Sequence, residues 1–381
     1  MVHVVQVSFF VDPQGRGPEQ LLHDWPSLAD VAEAASAAGA RVSVIQACSE
    51  RRQLTRDGVD YHFLTPDAVV PTIACTEAFG GLVRKLGAGV FHVHGLGFPE
   101  DVRALARLAP GTPILVQDHA NQPPRIWRRH FWRRGLAMVS GAAFCARSQA
   151  EPFLDAGLLQ PRTAIYEIPE STSRFVPGEQ AEARSIMGLH GNPCLLWVGH
   201  LDENKDPLTV LKGVSEAVRQ LPELQLWCCF GTAPLLSEVQ GRIDSDPRLV
   251  GRVHLLGRVS HEKIQLLMQA SDVFVLGSHR EGSGYSLIEA LACGLPPVVT
   301  DIPSFRSLTG QASVGRLWPC GDPGGLCDSL LSIASQVGPA LRGVTREHFD
   351  AELSFAALGR KLNAAYADLL ARRRDPAMIA S

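Results

Sequence analysis

Short apolar runs rich in Val, Ile and Leu recur along the chain, separated by stretches with helical periodicity. HVVQVSF (residues 3–9) reads as a buried strand. LADVAEAASAAG (28–39) reads as a helix closing on a glycine cap, and RVSVIQA from Arg41 as the next strand, which makes a βαβ unit. GVFHVHG near Val90 and PILVQDH near Ile114 supply further strands, with a helix over 99–108 between them. The alternation then restarts. PCLLWVGH (193–200) is a buried strand running into a polar loop; a helix over 207–220 and the strand LQLWCCFG (224–231) follow. VHLLGRV, DVFVLGS, PPVVT and ASVGRLW continue the series. Strands alternating with helices imply parallel sheets covered on both faces.

Two such series imply an α/β protein of two doubly wound, Rossmann-like domains facing a central cleft. The expected division is an N-terminal domain over 1–170, a linker over 171–192, a second domain over 193–345 and a C-terminal segment over 346–381. The linker is inferred from IPESTSRFVPGEQAEARS (168–185), which is polar and holds two prolines. The C-terminal segment reads as one long amphipathic helix over 346–374, expected to cross back to the first domain.

Composition narrows the classes. With 381 residues the chain is too long for one ordinary core, and 45% hydrophobic content suits a globular protein. A net charge of −3 gives no electrostatic reason to expect nucleic acid. Nine cysteines without a CxxC pair suit reduced thiols in a cytoplasm. MVHVVQVSFFVDPQG has no basic leader region and reads as a first strand, and no apolar run is long enough to span a bilayer.

In doubly wound sheets ligands sit beyond the carboxyl ends of the strands. EGSGYSLIEA, starting at Glu281, lies there: DVFVLGS ends, a loop follows, and YSLIEALACG forms a helix stopping at Gly294. The helix N-terminus favours an anion, and small residues let a phosphate approach the backbone of Gly282, Ser283, Gly284 and Tyr285. Carboxylates repel phosphate but accept hydrogen bonds from sugar hydroxyls, so Glu281 and Glu289 suit two sugars flanking a diphosphate. Taken alone, the stretch reads first as an ordinary glycine-rich turn before a helix with a solvent-exposed Glu. VGHLDENKDP changes the balance, because it brings Lys205, and with it His200, to another strand end in the same domain, where a lysine can neutralise a diphosphate.

EGSGYSLIE, the upstream HEKIQLLMQASDVFVLGS, the downstream ALACGLPPVVTDIPS and VGHLDENKDP together resemble retaining glycosyltransferases of family 4, the glycogen-synthase-like group with the GT-B fold. The likeness is strongest over 195–323. It implies a nucleoside-diphosphate sugar held mainly by the second domain, no other required cofactor, no bound metal, and an acceptor that is a saccharide, a lipid-linked sugar or a small molecule. Carried over, Glu289 binds the ribose, Glu281 the transferred sugar, and Lys205 the phosphates. His200 stands where relatives often have Arg. LLGRVS points to Arg258 and Val259 around the base. His119, after the strand ILVQ, aligns with the family's donor-sugar histidine, which makes His119, Lys205 and Glu281 the candidate catalytic set. Gly15 and Gly17 in DPQGRGPEQ, and His94, are candidates for an acceptor or phosphate loop. His92 and His94 share a strand face, and with Asp118 and His119 their spacing does not require a metal. The resemblance implies front-face displacement with retention of configuration.

Other classes stay open at this stage. A nucleotide-sugar epimerase of the same fold would bind the same donor, and a non-catalytic sugar-binding protein would also suit two such domains. A nicotinamide dehydrogenase is disfavoured because the first βα turn lacks GxGxxG. RIWRRHFWRR, from Arg125 to Arg134, combines aromatics with six basic residues. It suits either a solvated helix with aromatics in the core, the favoured reading, or peripheral contact with an anionic membrane at its inner face.

Overall fold

The computed structural model describes residues 2–69 and 72–374. The chain divides into two compact units: one formed by residues 1–172 and 355–381, the other by 173–354.

The first unit contains strands β1 (His3–Ser8), β2 (Arg41–Ala47), β3 (Arg52–Arg56), β4 (Val59–Leu64), β5 (Val90–His94), β6 (Ile114–Gln117), β7 (Gly141–Phe144) and β8 (Ala164–Glu167). They form one sheet in the order β3-β4-β2-β1-β5-β6-β7-β8. Every neighbouring pair is parallel except β3 with β4. The order reverses between β1 and β5, the switch point at which doubly wound sheets place ligands. The periodicity reading overlooked β3, β4, β7 and β8. The hairpin β3–β4 turns on Asp57-Gly58, both with positive φ, a two-residue hairpin signal that was present in TRDGVD. β7 is GAAF, too short and small-sided to register as an apolar run.

The second unit contains β9 (Cys194–Val198), β10 (Gln225–Cys229), β11 (Val253–Gly257), β12 (Val273–Leu276), β13 (Pro297–Thr300) and β14 (Arg316–Trp318). All are parallel, in the order β11-β10-β9-β12-β13-β14. The central strands are buried on both faces, which is why they read as unbroken apolar runs.

Two expectations are corrected. The stretch 171–192 is not a bare linker, because Gln180–Met187 is a helix packed on helix His261–Ala270 of the second unit. Its polar residues serve a buried acid: the Arg184 guanidinium lies 2.6 Å from Asp272, which also accepts from the Cys194 backbone at 2.8 Å. Nor is 346–374 one helix. A helix Pro339–Glu352 ends at Leu353, and a second, Phe355–Arg374, begins two residues later. The two helices bury different faces in different units. Arg342 in the first of them donates to the carbonyls of Ser271, Gln269 and Cys293 in the second unit. The second helix buries Leu358, Leu362, Ala365, Tyr366 and Leu369 against the first unit, a spacing of three and four residues that makes one apolar stripe.

Candidate active site

At the carboxyl ends of β9, β10 and β12 the second unit encloses a cavity of about 330 Å³. Its walls include His200, Lys205, Arg258, Val259, Glu281, Tyr285 and Glu289, all expected from the sequence to meet one ligand. Gly282, Ser283 and Gly284 form the buried turn behind it. Gly284 is the N-cap of helix Tyr285–Ala292, with φ of 82° and no side-chain cap. A Cβ there would lie 2.6 Å from the Phe305 ring, so backbone conformation and packing both demand glycine. Glycine at this N-cap supplies no side-chain cap of its own, and a helix N-terminus favours an anion.

The sequence assigned Lys205 and Glu281 separate tasks, and the fold brings them into contact: the ammonium pairs with Glu281 Oε1, which also accepts from Ser278 Oγ at 2.6 Å. Both side chains are largely buried, at 15% and 13% exposure, so the pair is poorly screened. A phosphate entering the cavity competes with Glu281 for Lys205. Backbone lacing holds the two loops together: the His279 amide donates to Asn204 O at 2.8 Å, and Asn204 Nδ2 to Arg280 O at 2.9 Å. The Lys205 amide is fixed by Asp202 Oδ1 at 2.9 Å.

Glu289 carries a partner that sequence reasoning missed. His261 Nε2 lies 2.7 Å from Glu289 Oε1. His261 opens its helix just after LLGRVS, so its closeness to Arg258 and Val259 in the chain was the available signal. His200 Nδ1 accepts the Thr232 amide at 3.2 Å, which leaves Nε2 to donate.

The remaining sequence candidates lie in the first unit. Gly15 sits in a turn whose amide bonds to Asp12 O, and Gly17 caps helix Pro18–Asp24. Arg16 between them is held by Asp12, with Nε to Oδ2 at 2.8 Å, and lies 4.2 Å over the Trp25 ring. His119 stands just beyond β6, 28% exposed, its Nδ1 2.7 Å from Glu170 and its Nε2 3.3 Å from His94 Nδ1. His94 is buried, and its Nε2 lies 3.1 Å from Gln6. The His92 and His94 rings stack with centroids 4.6 Å apart. Burial drives both below the usual histidine range, His92 to about 3. Burial raises Asp118 to about 6, against hydrogen bonding from the Asn121 amide. Glu170 falls within the polar stretch 168–185 and carries no sequence signal of its own.

Two doubly wound units, each reversing its strand order after its first strand, make this a protein of GT-B fold. Comparison with known proteins agrees. Residues 179–337 match the family Glycosyl transferases group 1. The chain is similar to a GDP-mannose:cellobiosyl-diphosphopolyprenol alpha-mannosyltransferase of Xanthomonas oryzae, 25% identical over 236 residues, an alignment spanning 60% of this chain and 60% of that relative. In fold it resembles a sucrose-phosphate synthase from Thermosynechococcus elongatus, with a TM-score of 0.71, 20% identity and coverage of 97% and 100% of the two chains. It also resembles the Anabaena protein HepE in complex with UDP, with a TM-score of 0.68, 15% identity and coverage of 96% and 99%. Residues 179–337 thus resemble Glycosyl transferases group 1, and the whole chain shares the two-domain fold of these solved structures.

Proposed function

We propose that this chain transfers a sugar from a nucleoside-diphosphate sugar to an acceptor hydroxyl with retention at the anomeric carbon. The observation that carries the reading is the convergence of Lys205, Glu281, Glu289 and the Gly284 helix terminus on one cavity. In this reading the diphosphate lies at the helix N-terminus beside Lys205, Glu281 accepts from hydroxyls of the transferred sugar, and Glu289 from those of the ribose. As the bond from the anomeric carbon to the diphosphate oxygen breaks, the acceptor oxygen bonds to the same face. The acceptor's proton leaves with the diphosphate. Lys205 and the amides stabilise the departing charge, a role for which no metal is needed. His119 is the first unit's candidate for the sugar, on the strength of the family resemblance.

Calorimetry with UDP, GDP and ADP tests the donor site. One nucleotide is expected to bind, and Glu289→Ala to weaken it; binding of none overturns the reading. The Xanthomonas relative is named for GDP-mannose and HepE was crystallised with UDP, so the panel must include both. Product NMR tests the stereochemistry, and inversion refutes front-face displacement. Isomerised nucleotide sugar formed without acceptor would instead identify an epimerase. Activity is expected to survive EDTA.

A second observation supports peripheral membrane contact. Residues 119–150 contain six arginines and no Asp or Glu. Within them Ile126, Trp127 and Phe131 are exposed, while Trp132 and Leu136 are buried. The arginines from 125 to 134 have no carboxylate partner among the described residues; Arg129 and Arg133 donate to the carbonyls of Pro124 and Ala156. An apolar tip amid unpaired guanidinium groups suits an anionic lipid surface. No helix among the described residues is long and apolar enough to cross a membrane. The protein is expected to float with vesicles rich in anionic lipid, and Arg128→Glu/Arg129→Glu to abolish this; failure of the native protein to float rejects the contact.

A further inference from the structure

A second cavity, of about 500 Å³, lies in the first unit at the opposite end of its sheet from His94 and His119. Pro113, Ser140 and Arg162 reach it from the segments that lead into β6, β7 and β8. Leu369, Arg372 and Arg373 reach it from the end of helix Phe355–Arg374. Folding thus gathers three arginines from two distant parts of the chain.

No Asp or Glu among the described residues lines this cavity. Arg372 has one carboxylate beside it: its Nε lies 2.7 Å from Asp368 Oδ2, which also accepts from the Tyr166 hydroxyl at 2.6 Å. Arg162 and Arg373 have no carboxylate partner among the described residues. Three positive charges against one negative leave a net charge of two.

The neutral polar groups of the wall can donate as well. Residues 109–112 form a turn closed by the Thr112 amide on Ala109 O at 3.2 Å, with Pro110 second and Gly111 third at a φ of 74°. Such a turn gives its third amide no internal partner, and the Gly111 amide bonds to no described residue. Arg373 Nη2 stands over this turn, 3.9 Å from where a Gly111 Cβ would lie. The Thr112 hydroxyl has no partner among the described residues. Ser140 Oγ accepts the Ile114 amide at 3.4 Å and keeps its own proton to give. Guanidinium groups, hydroxyls and a turn amide around a net charge of two complement a phosphomonoester, which carries close to two negative charges at pH 7 and accepts through three oxygens.

The rest of the wall is apolar, with Ala109, Pro110, Val139 and Leu369 behind Met138. A bare phosphate would fill little of a cavity this large, whose size suits a whole small molecule. Met138 is exposed at its rim. At spacings of three and four residues it continues the exposed line of Trp127, Phe131 and Arg134 along helix Arg129–Leu136 and its flanking turns. That line belongs to the surface assigned above to an anionic membrane.

We infer that this cavity binds the phosphomonoester head of a lipid, with the arginines on the phosphate and the apolar wall on the first carbons of the lipid body. Its role is anchorage, apart from the donor cavity of the second unit. The charge count and the wall stand without the membrane reading; the choice of a lipid over a soluble phosphate ester is drawn from it.

The test is a titration of the full chain, labelled at its methionine methyls, with dihexanoyl phosphatidic acid kept below its micelle concentration, followed by NMR and calorimetry. Binding is expected, with the Met138 methyl signal shifted. Glycerol 3-phosphate should bind about tenfold more weakly, for want of an apolar body. Dihexanoyl phosphatidylcholine should not bind measurably. Arg162→Glu/Arg373→Glu should weaken phosphatidic acid binding by about tenfold or more. Both side chains are exposed and unpaired, so the fold should persist. If that variant misfolds, Met138→Glu, which sets a carboxylate at the exposed rim, supplies the same test. Phosphatidic acid binding that survives these charge changes undiminished, a Met138 signal that does not move, or equal binding of glycerol 3-phosphate overturns the inference. If phosphatidic acid binds here but the native protein does not float with anionic vesicles, the site stands and the membrane contact falls. If the protein floats while the Met138 signal stays unmoved, the reverse holds.

Discussion

Both units wind a sheet whose strand order reverses after the unit's first strand, parallel throughout except for the β3–β4 hairpin of the first unit, yet their strand ends treat polar side chains in opposite ways. In the second unit, Lys205, Glu281 and Glu289 line a cavity and pair in ways that a ligand can replace. In the first, His92, His94, Gln6, Gln117 and Tyr366 are buried and bonded mainly to one another. The same topology therefore supports a charged site that exchanges partners and a mostly neutral network that holds its partners. The charged groups of the second unit are each held by a partner of opposite charge, whereas the wholly buried histidines of the first stay neutral, because ionising them costs more than their hydrogen bonds return.

The comparison can be broken by perturbing each side. Lys205→Ala should lower transfer about 10²–10³-fold, as removal of one electrostatic stabiliser does elsewhere, with a smaller change in donor affinity. An unaltered kcat would remove Lys205 from the chemistry. Acid should strike the first unit through His92. Its folded value near 3 lies below the unfolded 6.5, so the stability it contributes is present above pH 6.5 and is lost as pH falls towards 3. The loss is on the order of a few kcal/mol, and His92→Gln should reduce it in urea titrations between pH 6.5 and 4. Asp118, raised to about 6, works the other way: its contribution is full below the unfolded value and lost as pH rises through 6, so it partly offsets His92.

Glu289→Ala sharpens the reading of the second unit. It should weaken nucleotide binding by about 1.5–3 kcal/mol while leaving the fold intact, since His261 is exposed enough to be solvated. Weakened binding of the free base, measured beside the nucleoside, would show instead that Glu289 does not act on the ribose. The smallest effects come from two helical glycines. A Cβ at Gly359 would lie 2.2 Å from Ala34 O, so Gly359→Ala should cost about 1–3 kcal/mol by forcing the C-terminal helix off helix Pro26–Ala37. At Gly241 the added methyl meets nothing within 4 Å, and Gly241→Ala should stabilise the second unit by about 0.5–1 kcal/mol in thermal melts.

The second unit was more legible than the first. Its strands are central and apolar throughout, and its site is built from loops that directly follow those strands, so Glu281, Glu289 and Lys205 could be assigned from local order. The first unit hides its edge in a polar hairpin and its last strands in short, small-sided segments. Glu170 lay in a stretch that composition marked as a connection, and Tyr366 in a helix far along the chain. Neither carries a local signal, because each acts only through a residue distant in sequence, His119 or His92.

What the sequence determined by itself was whatever is encoded by periodicity and neighbours: two alternating α/β series, the helix start at Gly284, and the residue types suited to a diphosphate between two sugars. What the tertiary structure decided was pairing. It joined Lys205 to Glu281 and Glu289 to His261, broke the last helix between two units, and linked Glu170 through His119, His94, Gln6 and Tyr366 to His92. Hydrophobic pattern is a property of adjacent residues, whereas the protonation and charge balance of a site depend on groups that only folding brings within hydrogen-bond reach.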